Sequence, residues 1–444
     1  MNFDLMRSLL IDRALRGELF SNVTSVEAEG KSLEEEQTTP FTIPNHWQWK
    51  RVADCVQFNP KVIQDDAVEV SFIPMADVEP GFVDQCSTRQ AKPWAKVKKG
   101  FSRFQEGDLL VAKITPCFQN RKSCVAKSLI NGTGAGSTEF HVMRCVSGVD
   151  AKFLLYFFKS EYFIRYGVNH FNGTVGQQRV GAQDIKDCLI PVPSVEEQVR
   201  IVAKLEEAFA EIDRAEKAYE ELQTLSEVLR SQILQKAIQG ELVPQLNLEP
   251  AVDMRGDYPE EEPFEIPNKW KWVSLKEVVT FNPKIIKDDA LDVSFIPMAG
   301  VDAGYVNECE TNQLKPWGKV KKSGFSRFEE GDVLLAKITP CFQNRKSCIA
   351  RNLANETGAG STEFHVMRCS EYLNPKYLLW FLKSEYFINY GVSHFSGTVG
   401  QQRFSTQEVK DCFIPLPPKQ EQQRIIEKVD ELMKQLDALG GITS

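Results

Sequence analysis

The chain has 444 residues, 42% apolar and 26% charged, with a formal net charge of −8 at pH 7, so it is long enough for two to four domains that each bury a core. No apolar run approaches the roughly 18 residues of a membrane span and no signal peptide opens the sequence; a spanning or exported protein is not expected, and the cytoplasm is the expected compartment. The 11 cysteines are spread singly and are read as reduced thiols.

In chain order, the first predicted element is a helix over residues 1–20, carrying RSLLIDRALRGELF from Arg7, followed by the acidic stretch EAEGKSLEEE. From residue 40 to about 190, β-rich runs (VSFIPM, DLLVAKI, EFHVMRC) alternate with Gly, Pro and Asn turns. Within that region AKFLLYFFKSEYFIRYG predicts one amphipathic helix. After LIPVPS a long helix is predicted from Val195 to Gln239, with Gly240 as its stop. Ile201, Leu205, Ala208, Ile212, Ala215, Tyr219 and Leu222 keep the alternating 4 and 3 spacing of a coiled-coil seam. At 1.5 Å per residue this helix is a rod of roughly 65 Å.

The chain then starts again. Phe101–Cys145 and Phe325–Cys369 differ at eight of 45 positions, and KITPCFQNRKSC stands unchanged at 113 and 337. PFTIPNHWQWK at 40 pairs with PFEIPNKWKWV at 263, FNPKVIQDDAVEVSFIPM at 58 with FNPKIIKDDALDVSFIPM at 281, and FNGTVGQQR at 171 with FSGTVGQQR at 395. RSLLIDRALRGELF returns as RSQILQKAIQGELV from Arg230, and the seam returns at Ile425, Val429, Leu432, Leu436 and Leu439 before the sequence ends. The expected fold class is therefore α+β: two mixed α/β domains, 21–193 and 243–417, separated by two long antiparallel helices, 194–242 and 418–444. Residues 1–20 complete the second helical region, in a cyclic, pseudo-twofold arrangement.

Charge is segregated along each copy. Residues 89–127 hold ten Lys or Arg against two acids, and 312–351 hold nine against three, while acid gathers in the linkers and along the helix from Glu196 to Glu227. Such segregation suits a basic face toward phosphates with the acidic helices turned away. Three stretches are candidate contacts. KPWAKVKKG and KPWGKVKKSG offer Lys92, Lys96, Lys98 and Lys99, and Lys315, Lys319, Lys321 and Lys322, for phosphate, with Trp94 and Trp317 available to pack on sugar or to brace the loop. KITPCFQNRK offers Lys113, Gln119, Asn120, Arg121 and Lys122, and Lys337, Gln343, Asn344, Arg345 and Lys346; Asn and Gln suit adenine edges and Arg suits guanine. GQQR adds Gln177, Gln178 and Arg179, and Gln401, Gln402 and Arg403, with the same chemistry.

Other features carry less. GTGAGSTEF lacks the Lys of GxxxxGK[ST] and reads as a turn entering a strand, with Ser137 and Thr138 near phosphate. Cys117, Cys124, His141 and Cys145 lack the short spacings of a tetrahedral zinc site, so no metal is expected; His141 and His365 read as packed strand residues. There is no [DN]PP[YF] motif, glycine-rich methyl-donor loop, Walker motif or convincing PD-(D/E)xK cluster, so no catalytic residue is assigned and the chain is read as non-enzymatic.

GTVGQQR, a short strand, then IPVPSVEEQVRIVAKLEE, and again IPLPPKQEQQRIIEKVDE, resemble the junction in specificity (S) subunits of type I restriction-modification enzymes. The resemblance covers nearly the whole chain and implies two target recognition domains on double-stranded DNA. It also implies two methyltransferase subunits, seated at the helix starts EEQVRIVAKLEEAF and QEQQRIIEKVDELM through exposed Glu, Gln and Arg, with restriction subunits joining them. S-adenosylmethionine, ATP and Mg are expected on those partners, with no cofactor on this chain. The domains in such proteins are usually unlike; here they nearly match, which implies a bipartite, near-palindromic target whose half-sites lie about one helical turn, roughly 34 Å, apart. Gly132 against Glu356 and Asn172 against Ser396 are candidate breakers of that symmetry. A coiled-coil adaptor that binds only proteins, and a stand-alone enzyme using Cys and His of each domain, are the alternatives.

Overall fold

The computed structural model describes residues 1–20, 39–174, 176–246, 259–398 and 402–441. It divides into two units, Met1–Ala218 and Tyr219–Ser444, the boundary falling inside the long helix. The acidic stretch EAEGKSLEEE and the expected contact residue Gln401 lie outside the described residues.

Unit 1 runs α1 (Phe3–Leu15), β1 (Gln48–Arg51), α2 (Val52–Cys55), β2 (Val56–Phe58), β3 (Glu69–Ile73), β4 (Ala91–Pro93), α3 (Trp94–Val97), β5 (Ser102–Gln105), β6 (Leu109–Ala112), β7 (Ser123–Val125), β8 (Thr133–Gly136) and β9 (Phe140–Cys145). It continues with α4 (Ala151–Lys159), α5 (Glu161–Asn169), β10 (Phe171–Asn172), β11 (Arg179–Val180), α6 (Ala182–Asp187), β12 (Leu189–Val192) and α7 (Val195–Gln239), whose second half belongs to unit 2. Unit 2 repeats the pattern with β13 (Lys271–Ser274), α8 (Leu275–Val278), β14 (Val279–Phe281), β15 (Asp292–Ile296), β16 (Leu314–Pro316), α9 (Trp317–Val320), β17 (Ser326–Glu329), β18 (Val333–Ala336), β19 (Ser347–Ile349), β20 (Thr357–Gly360) and β21 (Phe364–Cys369). It closes with α10 (Pro375–Leu382), α11 (Glu385–Ser393), α12 (Thr406–Asp411), β22 (Phe413–Leu416) and α13 (Lys419–Gly441).

Each unit holds two four-stranded sheets, β2-β9-β6-β7 and β4-β3-β8-β5 in unit 1, and β14-β21-β18-β19 and β16-β15-β20-β17 in unit 2. Their strands are apolar on both faces because both faces are covered. Successive side chains of a strand point to opposite sides. Leu109, Val111 and Met143 therefore pack toward α4, α5 and α7, while Leu110, Phe140 and Val142 meet Ile73 and Phe104 of the other sheet. On the far face of that second sheet, Val70, Phe72 and Ala135 close over Trp94 and Val97.

Two expectations change. TGAG is itself the buried strand β8, paired parallel to β3, and not a turn. Its glycines admit close neighbours: a Cβ on Gly134 would stand 2.1 Å from the Phe104 ring, and one on Gly136 would stand 2.2 Å from the Ile73 carbonyl oxygen. The single helix expected at 151–167 is two helices broken at Ser160. The Ser160 hydroxyl donates to the Phe157 carbonyl (2.7 Å) and accepts from the Phe163 amide (3.1 Å), so one side chain ends α4 and caps α5.

The helices pair antiparallel within each unit. Arg7 of α1 donates to Asp213 (2.7 Å) and Glu216 in the first half of α7, while Arg200 stands 4.8 Å from the Phe20 ring. In unit 2, Arg230 donates to Asp437 (2.6 Å) of α13 and Arg424 to the Pro244 carbonyl (3.2 Å). The repeated Arg-Ser segments at 7 and 230 thus do the same work. The seam is buried at Ile201 and Leu205 and at Ile425 and Val429, but Ala215 and Leu222 are exposed. The expected burial of the stripe is therefore incomplete in the middle of α7.

Gln198 and Gln422, expected to be exposed for a partner, are fully buried. The Gln198 amide oxygen accepts from the Asp150 amide (2.8 Å), and its Nε2 donates to the carbonyls of Gly148 (3.1 Å) and Pro193 (3.0 Å). Gln422 repeats this with Asn374, Tyr372 and Pro417. The EQ of the repeated motif locks helix to domain, because a buried amide needs all of its hydrogen bonds made.

Candidate nucleic-acid interface

The sequence-derived residues fall into three separate places. In the KPW loop the indoles are interior: Trp94 is 3% and Trp317 2% exposed, so they brace the loop from beneath and offer no ring face to a sugar. Lys92 and Lys315 lie over the rings of Phe72 (3.1 Å) and Phe295 (3.0 Å), which partly occupies their charge. Lys98 and Lys321 are paired with Asp66 and Asp289. Lys96, Lys99, Lys319 and Lys322 are exposed and have no ion-pair partner among the described residues.

The QNRK loops are committed inward. Arg121 Nε donates to the Lys159 carbonyl (2.9 Å) and Nη2 to Glu161 (2.6 Å), with the guanidinium 5.0 Å from the Phe82 ring; Arg345 repeats the pattern with Lys383, Glu385 and Tyr305. Lys122 and Lys346 donate to the Met75 and Met298 carbonyls, both at 3.1 Å. Beneath the loop, the fully buried Lys159 donates to the carbonyls of Gly81 (2.8 Å) and Arg121 (3.0 Å), and Lys383 does the same in unit 2. Burial pushes these amines down, Lys159 to about 8 and Lys383 to about 7. Gln119 and Asn120 are exposed and open on a groove of mixed charge, where Asp84, Glu206, Asp213 and Glu216 are paired with Lys127, Lys152 and Arg7.

The GQQR segment builds a different surface. Arg179 pairs with Ile114, the Val180 amide donates to the Lys113 carbonyl (3.0 Å), and the Thr115 amide donates to the Gln178 carbonyl (2.9 Å), so GQQR and the start of KITP form one wall. With Asn59, Phe101, Arg103, Thr138 and His141 this wall encloses a cleft of about 610 Å³. Unit 2 carries its counterpart, about 230 Å³, with Asn282, Phe325, Arg327, Lys337, Thr362 and His365. Arg179 is held by Glu139, to which Nε and Nη2 donate at 2.9 Å each, and Nη1 donates to the Gln177 carbonyl (3.2 Å). Nη1 and Nη2 each keep one N–H that no described residue accepts, and such paired donors suit a guanine edge. The same hydrogen bond holds the Glu139 carboxyl below the usual carboxylate range. Arg403 and Glu363 repeat the pair (2.9 Å).

Arg103, Phe101, Asn59 and their partners in unit 2 were not singled out from the sequence, although GFSRF and FNPK stand in both copies. Among the described residues no cluster of three or more His, Cys, Asp or Glu groups is placed to hold a metal ion, and no helix is long and apolar enough to cross a membrane.

Comparisons with known proteins agree with this duplicated architecture. The model of the type I restriction modification DNA specificity domain matches twice, over residues 44–224 and 267–443. The chain is 28% identical over 547 aligned residues to the type I restriction enzyme EcoAI specificity subunit of Escherichia coli, covering 98% of this chain and 89% of that one. It is 38% identical over 237 residues to the Escherichia coli EcoEI specificity subunit, covering 48% and 40%. Among solved structures, a chain from a type I R-M system matches with a TM-score of 0.68 at 19% identity, covering 91% of this chain and 94% of that one. The HsdS subunit from Thermoanaerobacter tengcongensis matches with a TM-score of 0.58 at 19% identity, covering 91% and 93%. With two matched domains that together span most of its length, this chain belongs to the type I restriction-modification DNA specificity family.

Proposed function

We propose that this chain is the non-catalytic, DNA-reading specificity subunit of a type I restriction-modification assembly. Each domain meets double-stranded DNA through its basic cleft, with Lys113, Arg103 and Arg179 in one and Lys337, Arg327 and Arg403 in the other. Lys96, Lys99, Lys319 and Lys322 add sequence-independent phosphate attraction. The observation that carries this reading is the repetition, in two domains of a chain of this family, of one basic cleft and of one carboxylate-braced arginine in the segment beside it.

Two near-copies of one reader call for two near-copies of one half-site. The target is a bipartite inverted repeat, the half-sites flanking an unread spacer. Two methyltransferase subunits sit along the helix pairs and restriction subunits join them; S-adenosylmethionine, ATP and Mg are bound by those partners, and the methylated base is an adenine flipped into a partner's pocket. Mapping methylated bases in the source organism with and without the gene tests this. A gene-dependent bipartite adenine mark is expected, and no gene-dependent mark would refute it. Native mass spectrometry of the co-expressed complex should show two methyltransferase subunits per chain; a stable one-to-one complex would count against that stoichiometry.

A further inference from the structure

The two clefts share a histidine floor, but the histidines keep different company. In unit 1, His141 Nε2 lies 3.1 Å from the Val180 carbonyl oxygen; in unit 2, His365 Nε2 lies 2.8 Å from the Phe404 carbonyl oxygen. A carbonyl only accepts, so each Nε2 carries the proton and each Nδ1 is left with a lone pair. Burial holds both imidazoles below their ordinary range, His365 at about 4, so both are neutral near pH 7.

At Nδ1 the domains part. Thr406 Oγ1 stands 3.3 Å from His365 Nδ1 and donates its proton there. The matching residue in unit 1 is Ala182, which has no hydroxyl, and His141 Nδ1 has no hydrogen-bond partner among the described residues. Both residues line their clefts, at the first position of α6 and of α12. The neighbouring differences point elsewhere. Phe404 is buried against Phe342, 5.2 Å between ring centroids, and Ser405 caps α12 by accepting from the Glu408 amide (3.2 Å). His141 is 5% exposed and lines the roomier cleft, and its Nδ1 acceptor, which no described residue meets, is open to a donor that enters there.

We propose that Ala182 and Thr406 are a specificity-determining pair: the open His141 Nδ1 accepts an N–H from the exocyclic amine of a base seated over the cleft of domain 1, and Thr406 closes that acceptor in domain 2. In the major groove only adenine N6 and cytosine N4 offer such an amine. One half-site therefore requires an amine-bearing base at a position where its mirror copy does not, and the near-palindrome is broken there. This rests on the reading that the clefts face DNA.

The test is selection of bound duplexes from randomised half-site DNA, using the chain assembled with its methyltransferase partners. The wild type should prefer adenine or cytosine at one position of one half-site by roughly 5- to 150-fold, the range of one good base-edge contact, and the base recovered tells which amine is read. Ala182→Thr should erase that preference. Thr406→Ala should create it in the other half-site and make the target symmetric. Each variant imports the residue its sister domain already carries at the same helix start, and if either fails to assemble, the reciprocal variant decides. Two identical wild-type half-sites, or variants that select the wild-type target, overturn the pair's role and leave the DNA-reading function standing. Selection of no bipartite sequence by the wild-type assembly would instead overturn the function itself.

Discussion

Arg121 and Arg179 looked alike in the sequence, and replacing each gives opposite outcomes. Arg121→Ala removes the donor to the Lys159 carbonyl, the ion pair with Glu161 and the packing over Phe82. Stripping a part-buried carbonyl of its donor costs about 1–3 kcal/mol, and a partly exposed ion pair adds under about 1 kcal/mol, so unit 1 should lose about 1–4 kcal/mol. With a urea m-value of about 2 kcal/mol/M, its unfolding midpoint should fall by roughly 0.5–2 M. The sequence selected by folded protein should not change, because Nε and Nη2 are spent on Lys159 and Glu161, the guanidinium packs over Phe82, and the side chain is only 19% exposed. Arg179→Lys keeps the charge near Glu139 but loses the fork. Non-specific affinity should stay within about twofold while discrimination at one base pair falls by roughly 5- to 150-fold. Urea unfolding by circular dichroism, and anisotropy titrations of the assembled complex on matched and singly mismatched duplexes, read the two effects separately. The reasoning is refuted if Arg121→Ala shifts base preference at unchanged stability, or if Arg179→Lys weakens all duplexes equally.

Three further outcomes are expected. Replacing the unpaired Lys96 and Lys99 together by Ala should weaken binding to every sequence and lower the slope of log K against log salt by about 1–2, whereas Lys98→Ala, already paired with Asp66, should change it less; titrations between 50 and 200 mM salt decide. Gly134→Ala should destabilise unit 1 by more than about 1–3 kcal/mol, since the new Cβ meets the Phe104 ring at 2.1 Å, and a thermal melt as stable as wild type would contradict the close packing. His365 is held at about 4 when folded, against 6.5 in the unfolded chain, so below pH 6.5 the unfolded state binds the extra proton and stability falls as pH drops toward 4. That component, at most about 1.4 kcal/mol per pH unit, should vanish from the stability profile of His365→Gln.

Much of the fold was legible because it rests on local pattern. Apolar periodicity marked α7 to its end at Gly240, and the duplication gave the units without any contact information. What escaped was set by tertiary partners. TGAG looked like a turn because glycine is poor in strands, and it is a strand because the Phe104 ring needs the space a side chain would fill. AKFLLYFFKSEYFIRYG kept helical periodicity through Ser160, whose hydroxyl prefers to end one helix and start the next. The EQ motif was assigned to partners, yet its glutamine is consumed by three internal hydrogen bonds.

The candidate site shows why repetition alone misleads. A stretch kept in both copies is kept for contact or for packing, and letter-for-letter identity cannot separate the two. QNRK is held by its own fold: Arg121, Lys122 and the buried Lys159 tie three segments of the domain together, so the same letters recur because the same domain must close. GQQR recurs with its arginine braced and its outer edge uncommitted, which packing does not require. Differences carry the complementary information. Most of the eight changes between 101–145 and 325–369 are mild exchanges such as Leu109 to Val333 or Lys127 to Arg351, while of the three adjacent changes at 180–182 against 404–406 only Ala182 against Thr406 alters the hydrogen bonding of the cleft histidine. In a duplicated reader, repeated internal bonds describe the scaffold, and a polar change that reaches a shared concave surface is where the two readings can diverge.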